Sequence, residues 1–310
     1  MVMLWLRKVA LAAGVVLTAA ACGGGSGQVQ PFEPTRIIAM GDQTSLLEAD
    51  GRKYTVNALV GGGTALDCES HPIWVQVVAD VFDLKFPQCP GSNTAPTGVM
   101  LAANGAKAAD IEAQVDAAAA SFTEDDLVTM LVGANDIFEL YAQFPSRSEA
   151  DIGAELRARG RIWGRQINRV AQDGPAVLVV TVPDIGKTPF ALAEESANAG
   201  RAGLLTRLTD HYNAGMRLEI INDGRLIGLV FGDLEVQNIV RFPGAFGFAN
   251  VTKPTCLASA PLPTCTTATL VADSGVSPIN WLWADDRHLT PGGQNRLGVV
   301  AATRAKNNPF

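Results

Sequence analysis

The sequence predicts an α/β fold, a parallel sheet with helices covering both faces. Five short apolar runs rich in β-branched residues, at 36–40, 98–103, 127–132, 176–182 and 225–231, alternate with longer stretches of helical spacing, as strands joined by crossover helices do. Composition agrees: 47% of residues are hydrophobic and 18% charged, enough apolar material for a large core and too much for a disordered chain. Gly41-Asp42, Asn104-Gly105, Gly133-Ala134-Asn135-Asp136 and Pro183-Asp184 follow directly after the first four runs. That is the carboxyl edge of a parallel sheet, where ligands bind.

From the N-terminus, Arg7 and Lys8 precede an apolar run ending in Ala19-Ala20-Ala21, and Cys22 is followed by Gly23-Gly24-Gly25-Ser26-Gly27. A run of roughly 10–14 apolar residues is too short to cross a bilayer, and the basic start with small residues at the exit fits a cleaved secretion signal. Residues 1–21 are therefore expected to be a signal peptide. The small residues before Cys22 resemble a bacterial lipoprotein box, which implies lipidation at Cys22, a Gly/Ser-rich tether over 22–34 and an outer-membrane lipoprotein of the cell envelope facing the periplasm. Removing 21 residues from 310 leaves 289, near the upper limit of roughly 250–300 for a single core, so 35–310 is expected to be one domain.

The first strand is expected at 36–40 and a helix around 73–82. The third and fourth strands, 127–132 and 176–182, flank a helix whose inner face carries Ile152, Leu156, Trp163, Ile167 and Val170 and which stops near Gly174-Pro175. A four-residue spacing of Leu204, Leu208, Tyr212, Met216 and Ile220 predicts the next helix, again with glycine supplying the stop. Residues 243–278, rich in Pro, Thr, Ala and Gly, read as a long loop, either a binding lid or a pinned insertion. No internal repeat is visible.

Apart from Cys22, the cysteines Cys68, Cys89, Cys256 and Cys265 form an even set, which in an exported chain implies two disulfides. Of three connectivities, Cys68 with Cys89 and Cys256 with Cys265 close the short local loops. His71, His211 and His288 are far apart and no Cys-x-x-Cys occurs, which argues against a zinc site. A net charge of −7 argues against nucleic acid as a partner.

Three separated pieces carry the chemistry: Ile37-Ile38-Ala39-Met40-Gly41-Asp42-Gln43-Thr44-Ser45, Gly133-Ala134-Asn135-Asp136, and Asp285-Asp286-Arg287-His288. Together they resemble the SGNH, or GDSL, hydrolases, which read Gly-Asp-Ser, Gly-x-Asn-Asp and Asp-x-x-His at these places. The resemblance extends from about residue 36 to the C-terminus. It implies a three-layer α/β/α sandwich with a five-stranded, mostly parallel, flavodoxin-like sheet, and an ester hydrolase that needs no cofactor or metal. It also assigns His288 as general base, Asp285 as the carboxylate orienting it, and an oxyanion hole made by the Gln43 backbone N–H, the Gly105 N–H and the Asn135 side chain. Gly41, Asp42, Gly133 and Asp136 complete the motifs. Asp286 is the rival carboxylate, but the three-residue spacing to His288 favours Asp285. Gly105 read alone is a turn residue, and Asn135 read alone a helix cap.

The departure is at residue 43. An acyl-enzyme needs an oxygen or sulfur that a base can deprotonate, and a carboxamide has neither. The longer side chain is expected to reach into the space of a substrate carbonyl and to hydrogen-bond His288. Thr44 and Ser45 point elsewhere from a strand-to-helix turn and are expected to cap rather than attack, and Ser274 belongs to a turn. Two functions follow. One is an exported ester hydrolase acting on carboxylic or acyl esters, impaired or running on water activated by His288. The other is a pseudoenzyme that binds an acyl ester or acetylated glycan without turnover. An inert envelope lipoprotein is the blandest reading.

Overall fold

The structure, a computed structural model, describes residues 32–307. The expected signal peptide, Cys22 and most of the tether lie outside the described residues.

Along the chain run β1 (Arg36–Gly41), a small hairpin of β2 (Ala58–Leu59) and β3 (Leu66–Asp67), α1 (Trp74–Asp80), β4 (Val99–Met100), α2 (Ile111–Ala119), β5 (Asp126–Leu131), α3 (Ala134–Tyr141) and α4 (Glu149–Gln172). There follow β6 (Ala176–Val180), α5 (Pro189–Ala197), α6 (Arg201–Glu219), β7 (Ile227–Val230), α7 (Gly232–Arg241), β8 (Asn250–Pro254), β9 (Trp281–Trp283) and α8 (Pro291–Asn307). The main sheet has the order β4-β1-β5-β6-β7 with every neighbouring pair parallel. This is the flavodoxin-like order, in which the connections reverse direction between the first strand and the third in sequence. Here that switch point falls between β1 and β5.

The sheet is covered on both faces, so its strands read as unbroken apolar runs: every residue of β5 and β6 is buried. β1 pairs with β5 along its whole length, from Arg36 opposite Asp126 to Gly41 opposite Leu131. All five expected strands are present. The run at 98–103 makes only two ladder positions, because the N–H groups of Leu101 and Ala102 both bond to Ala39 O and interrupt the register.

The two longest helices, α4 and α6, pack through the residues their spacing nominated, and Trp163 stacks on Tyr212 with ring centroids 5.9 Å apart. α4 stops at Gln172, just before Gly174, as expected. α6 does not end at a glycine. It stops at Glu219 because Asn168 on α4 takes over the capping, its Nδ2 donating to Glu219 O and its Oδ1 accepting the Ile221 N–H.

Both disulfides form as expected, Cys68–Cys89 and Cys256–Cys265. The segment 243–278 is not one long loop. It contains β8, which pairs in parallel with β9, and Asn57 anchors it by donating to Pro263 O and Cys265 O. With its backbone bonded to neighbouring segments, it is a pinned layer and not a free lid.

Candidate active site

Because β1 and β5 flank the switch point, whatever follows them in sequence meets at one edge of the sheet. After β1 the chain turns through Asp42, whose carboxylate accepts the Thr44 N–H at 2.9 Å and caps the short helical turn Gln43–Ser45. Gln114 on α2 holds the strand end from below: the Gly41 N–H donates to its Oε1 at 2.7 Å, and its Nε2 donates to Gly41 O at 2.9 Å. The turn directs the Gln43 side chain across the edge toward the start of α3. There Asn135 points back, its Nδ2 donating to Ala106 O and to Gln43 Oε1, both at 2.9 Å. Gly105 adds its backbone N–H to the same Oε1 at 3.1 Å. Both readings of Gly105 hold together, since its φ of +75° makes the turn that presents this N–H. Asn135 caps nothing; the cap of α3 is Gly133, and Asn135 sits inside the helix.

With the imidazole neutral, these contacts set the donor and acceptor roles in the network. A backbone N–H only donates, so the atom facing Gly105 is the carboxamide oxygen, and Nε2 must face the other way. Gln43 Nε2 then lies 3.2 Å from His288 Nε2 and 3.3 Å from Asn135 Oδ1. His288 Nδ1 stands 2.8 Å from Asp285 Oδ2 and 3.0 Å from Oδ1, so Nδ1 carries the proton toward the carboxylate and Nε2 accepts from Gln43.

The spacing of Asp285 and His288 has a local cause. Asp285 Oδ1 accepts the backbone N–H groups of Arg287 and His288, at 2.8 and 2.7 Å, closing a turn that brings the imidazole back over the carboxylate. The Ala284 N–H donates to His288 O and closes the loop from the other side. The rival Asp286 is exposed and faces Arg287 Nε at 3.4 Å. Burial is the strongest single influence on both Asp285 and His288 and opposes charge on each, but their mutual hydrogen bond and attraction outweigh it. His288 is raised above the ordinary imidazole value and Asp285 held below the ordinary carboxylate value.

The remaining candidates are placed as follows. Ser45 is fully buried and its Oγ accepts the Trp74 indole N–H at 3.1 Å. Asp42 accepts the Thr44 N–H at 2.9 Å, so the cap is Asp42 and not Thr44 or Ser45 as expected. Ser274 lies in an exposed turn. Asp136 is buried; it accepts the Ala108 N–H at 2.9 Å and pairs with Arg159 at 3.1 Å, tying the loop that carries Gly105 to α3. Gln114 and Arg159 thus support the site although no motif marks them.

Asp42 is buried and makes no salt bridge among the described residues, and burial pushes its carboxyl up to about 6 against the Thr44 hydrogen bonds and the attraction of His288. A carboxyl raised on folding binds its proton more tightly in the folded chain, so stability falls as pH rises from about 4 to about 6. Asp42→Asn keeps the acceptor for Thr44 and removes the buried charge. It is expected to raise unfolding stability at pH 8 by about 1–3 kcal/mol, with the gain vanishing below about pH 4, as read by urea unfolding across pH.

A family model described as GDSL-like lipase/acylhydrolase matches residues 37–298. A comparison with curated proteins finds no match. Among solved structures, the acetylxylan esterase Axe2 from Geobacillus stearothermophilus is 12% identical, with a TM-score of 0.49 over 90% of this chain and 98% of that one. The extracellular lipase from Streptomyces rimosus is 16% identical, with a TM-score of 0.43 over 88% of this chain and 100% of that one. Phospholipase A1 from Streptomyces albidoflavus NA297 is 14% identical, with a TM-score of 0.42 over 87% and 98%.

Proposed function

The chain belongs to the GDSL-like lipase/acylhydrolase family, and from that premise we propose that its strand-end site is an ester-hydrolase centre held silent by its own glutamine. Gln43 takes the nucleophile's position. One observation carries this reading: Gln43 Oε1 accepts hydrogen bonds from both Gly105 N–H and Asn135 Nδ2, the two donors suited to the oxygen of an ester carbonyl. The carboxamide is isosteric with the group such a site binds, and its NH2 occupies the acceptor nitrogen of His288. With the base and two of the three oxyanion donors engaged by one side chain, neither attack nor oxyanion stabilisation proceeds while Gln43 is seated.

Hydrolysis then has one route. Gln43 swings out, an ester carbonyl takes its place, and His288 Nε2 removes a proton from a water that attacks the carbonyl carbon. Asp285 stabilises the imidazolium, Asn135 and Gly105 hold the oxyanion, and collapse expels the alcohol with the proton returned by His288. No acyl-enzyme forms. The substrate class is a carboxylic ester, an acyl ester or an acetylated glycan, met in the cell envelope by a chain anchored through a lipid on Cys22. The second reading, ligand binding without turnover, is favoured by the carboxamide at residue 43, because a ligand that displaces it meets no nucleophile from that position.

Wild-type protein mixed with para-nitrophenyl acetate is expected to show no burst and no acetyl adduct in intact mass, with any slow turnover falling to the solution rate in His288→Ala. An adduct on Thr44 or Ser45 would overturn the assignment of residue 43. Turnover indistinguishable from His288→Ala, with ligand-induced thermal stabilisation, selects the binding reading.

A further inference from the structure

Beside the site lies an open cleft of about 550 Å³ that neither the motifs nor the ester chemistry uses. Its position follows from two elements already described. α3 carries Asn135 in its first turn and Phe138 and Tyr141 further along, and the loop that carries His288 carries Arg287 beside it. Phe190, on α5, joins them: its ring meets Phe138 and Tyr141 edge-on, with centroids 5.3 and 6.0 Å away. Phe190 N–H donates to Asp286 O, which fastens the cleft to the histidine loop.

Two guanidiniums flank this aromatic row. Arg287 Cζ lies 4.3 Å from the Phe138 centroid and 4.9 Å from that of Phe190, and Arg201 Cζ lies 4.4 Å from the centroid of Phe144. A guanidinium over a ring face is held in place while its N–H edge remains available to a planar or tetrahedral oxyanion. Of the two carboxylates lining the cleft, Glu139 alone is paired with cations among the described residues. Glu139 is engaged by Lys107 and Arg159, and Glu194 accepts the Tyr141 hydroxyl at 2.6 Å. Asp286 Oδ2 lies 3.4 Å from Arg287 Nε, and Arg201 also stands beside Tyr141, its Cζ 5.9 Å from that ring's centroid. The cleft therefore offers two guanidiniums, aromatic surface and hydrogen-bonding groups around one carboxylate, Glu194, that no cation neutralises among the described residues, and the guanidiniums are what would meet an anion on a hydroxyl-rich ring.

We propose that this cleft binds an oxyanion-bearing sugar, a uronate or a sugar phosphate, with Arg201 and Arg287 pairing the anion and the Phe190 and Tyr141 rings carrying the sugar face. The proposal rests on the reading of the site above only in setting the ligand's ester next to His288; the binding itself needs no turnover.

Titration calorimetry of the wild-type protein with digalacturonate, glucose 6-phosphate and neutral cellobiose tests it. At least one of the two anionic sugars is expected to bind, the stronger naming the oxyanion, with affinity that weakens as salt is added and cellobiose binding far more weakly. Arg201→Ala is expected to reduce affinity about tenfold or more, the effect of losing one charge-assisted hydrogen bond. Arg201→Lys, which keeps the charge and loses the planar fork, is expected to fall between. Equal binding of cellobiose, no binding of either anionic sugar, or an Arg201→Ala protein with unchanged melting temperature and unchanged affinity would overturn the proposal. Para-nitrophenyl acetate carries neither sugar nor anion, so its hydrolysis by Gln43→Ser reports on the ester site separately.

Discussion

Gln43→Ser is expected to raise kcat/KM for para-nitrophenyl acetate by about 10³-fold or more over wild type, given that loss of the triad serine in subtilisin costs about 2 × 10⁶ in kcat. The substitution acts twice. It places a hydroxyl where His288 Nε2 now accepts from the carboxamide, and it withdraws the oxygen that occupies Gly105 N–H and Asn135 Nδ2. A freed oxyanion donor of this kind is worth about 10²–10³ in rate. Adding His288→Ala or Asn135→Ala to the Gln43→Ser protein is expected to remove most of the gain. The pH profile follows from the base: His288 must be neutral to act, and its folded value is raised above the ordinary 6.5 by Asp285, with Asp42 and Asp286 adding to it. Activity of the Gln43→Ser protein is therefore expected to fall as pH drops through a value above 6.5 and to be level on the alkaline side. A folded Gln43→Ser protein that stays inactive would mean that residue 43 does not stand at the point of attack.

Much of this site was legible because its determinants are local. The Asp285–His288 pairing is written in three residues, since the carboxylate that orients the imidazole also accepts the backbone N–H groups that bend the loop. The five apolar runs were legible because strands buried on both faces carry little else. What escaped the sequence is set by contacts across long separations. Gln43 was expected to reach His288, but its sharing of one oxygen between Gly105 and Asn135 depends on how three strand ends converge. Gln114 and Arg159 carry no motif, because any side chain delivering the right groups to Gly41 and Asp136 serves there. The end of α6 was misplaced for the same reason: a side chain on another helix caps it, and helix-local signals do not contain Asn168. The aromatic cleft draws on α3, α5, α6 and the histidine loop, and only folding brings them together.

A contrast between two glycines tests how the scaffold places Gln43. Gly41 and Gly105 both have positive φ, +134° and +75°, a region that disfavours side chains at either position. Their surroundings differ. A Cβ on Gly41 would stand 2.0 Å from Leu131 O, a backbone atom of the paired central strand, whereas a Cβ on Gly105 would meet nothing within 4 Å. Gly105→Ala is thus expected to lose only backbone strain, about 1–3 kcal/mol, with its N–H still donating. In Gly41→Ala the strain is joined by a clash that neither strand relieves without breaking the β1–β5 ladder and the paired Gln114 bonds. That variant is expected to lose about 4 kcal/mol or more, the range reserved for severe and identifiable defects, and at about 2–4 °C per kcal/mol its melting temperature should fall by about 10 °C. Urea and thermal unfolding measure both. In the Gln43→Ser background, Gly105→Ala should keep most of the gained hydrolysis and Gly41→Ala should lose it, because the turn that aims residue 43 at His288 starts from the strand end that Gly41 occupies. Equal losses for the two glycines would mean that backbone strain alone, and not the close approach of β1 to β5, sets the position of the turn.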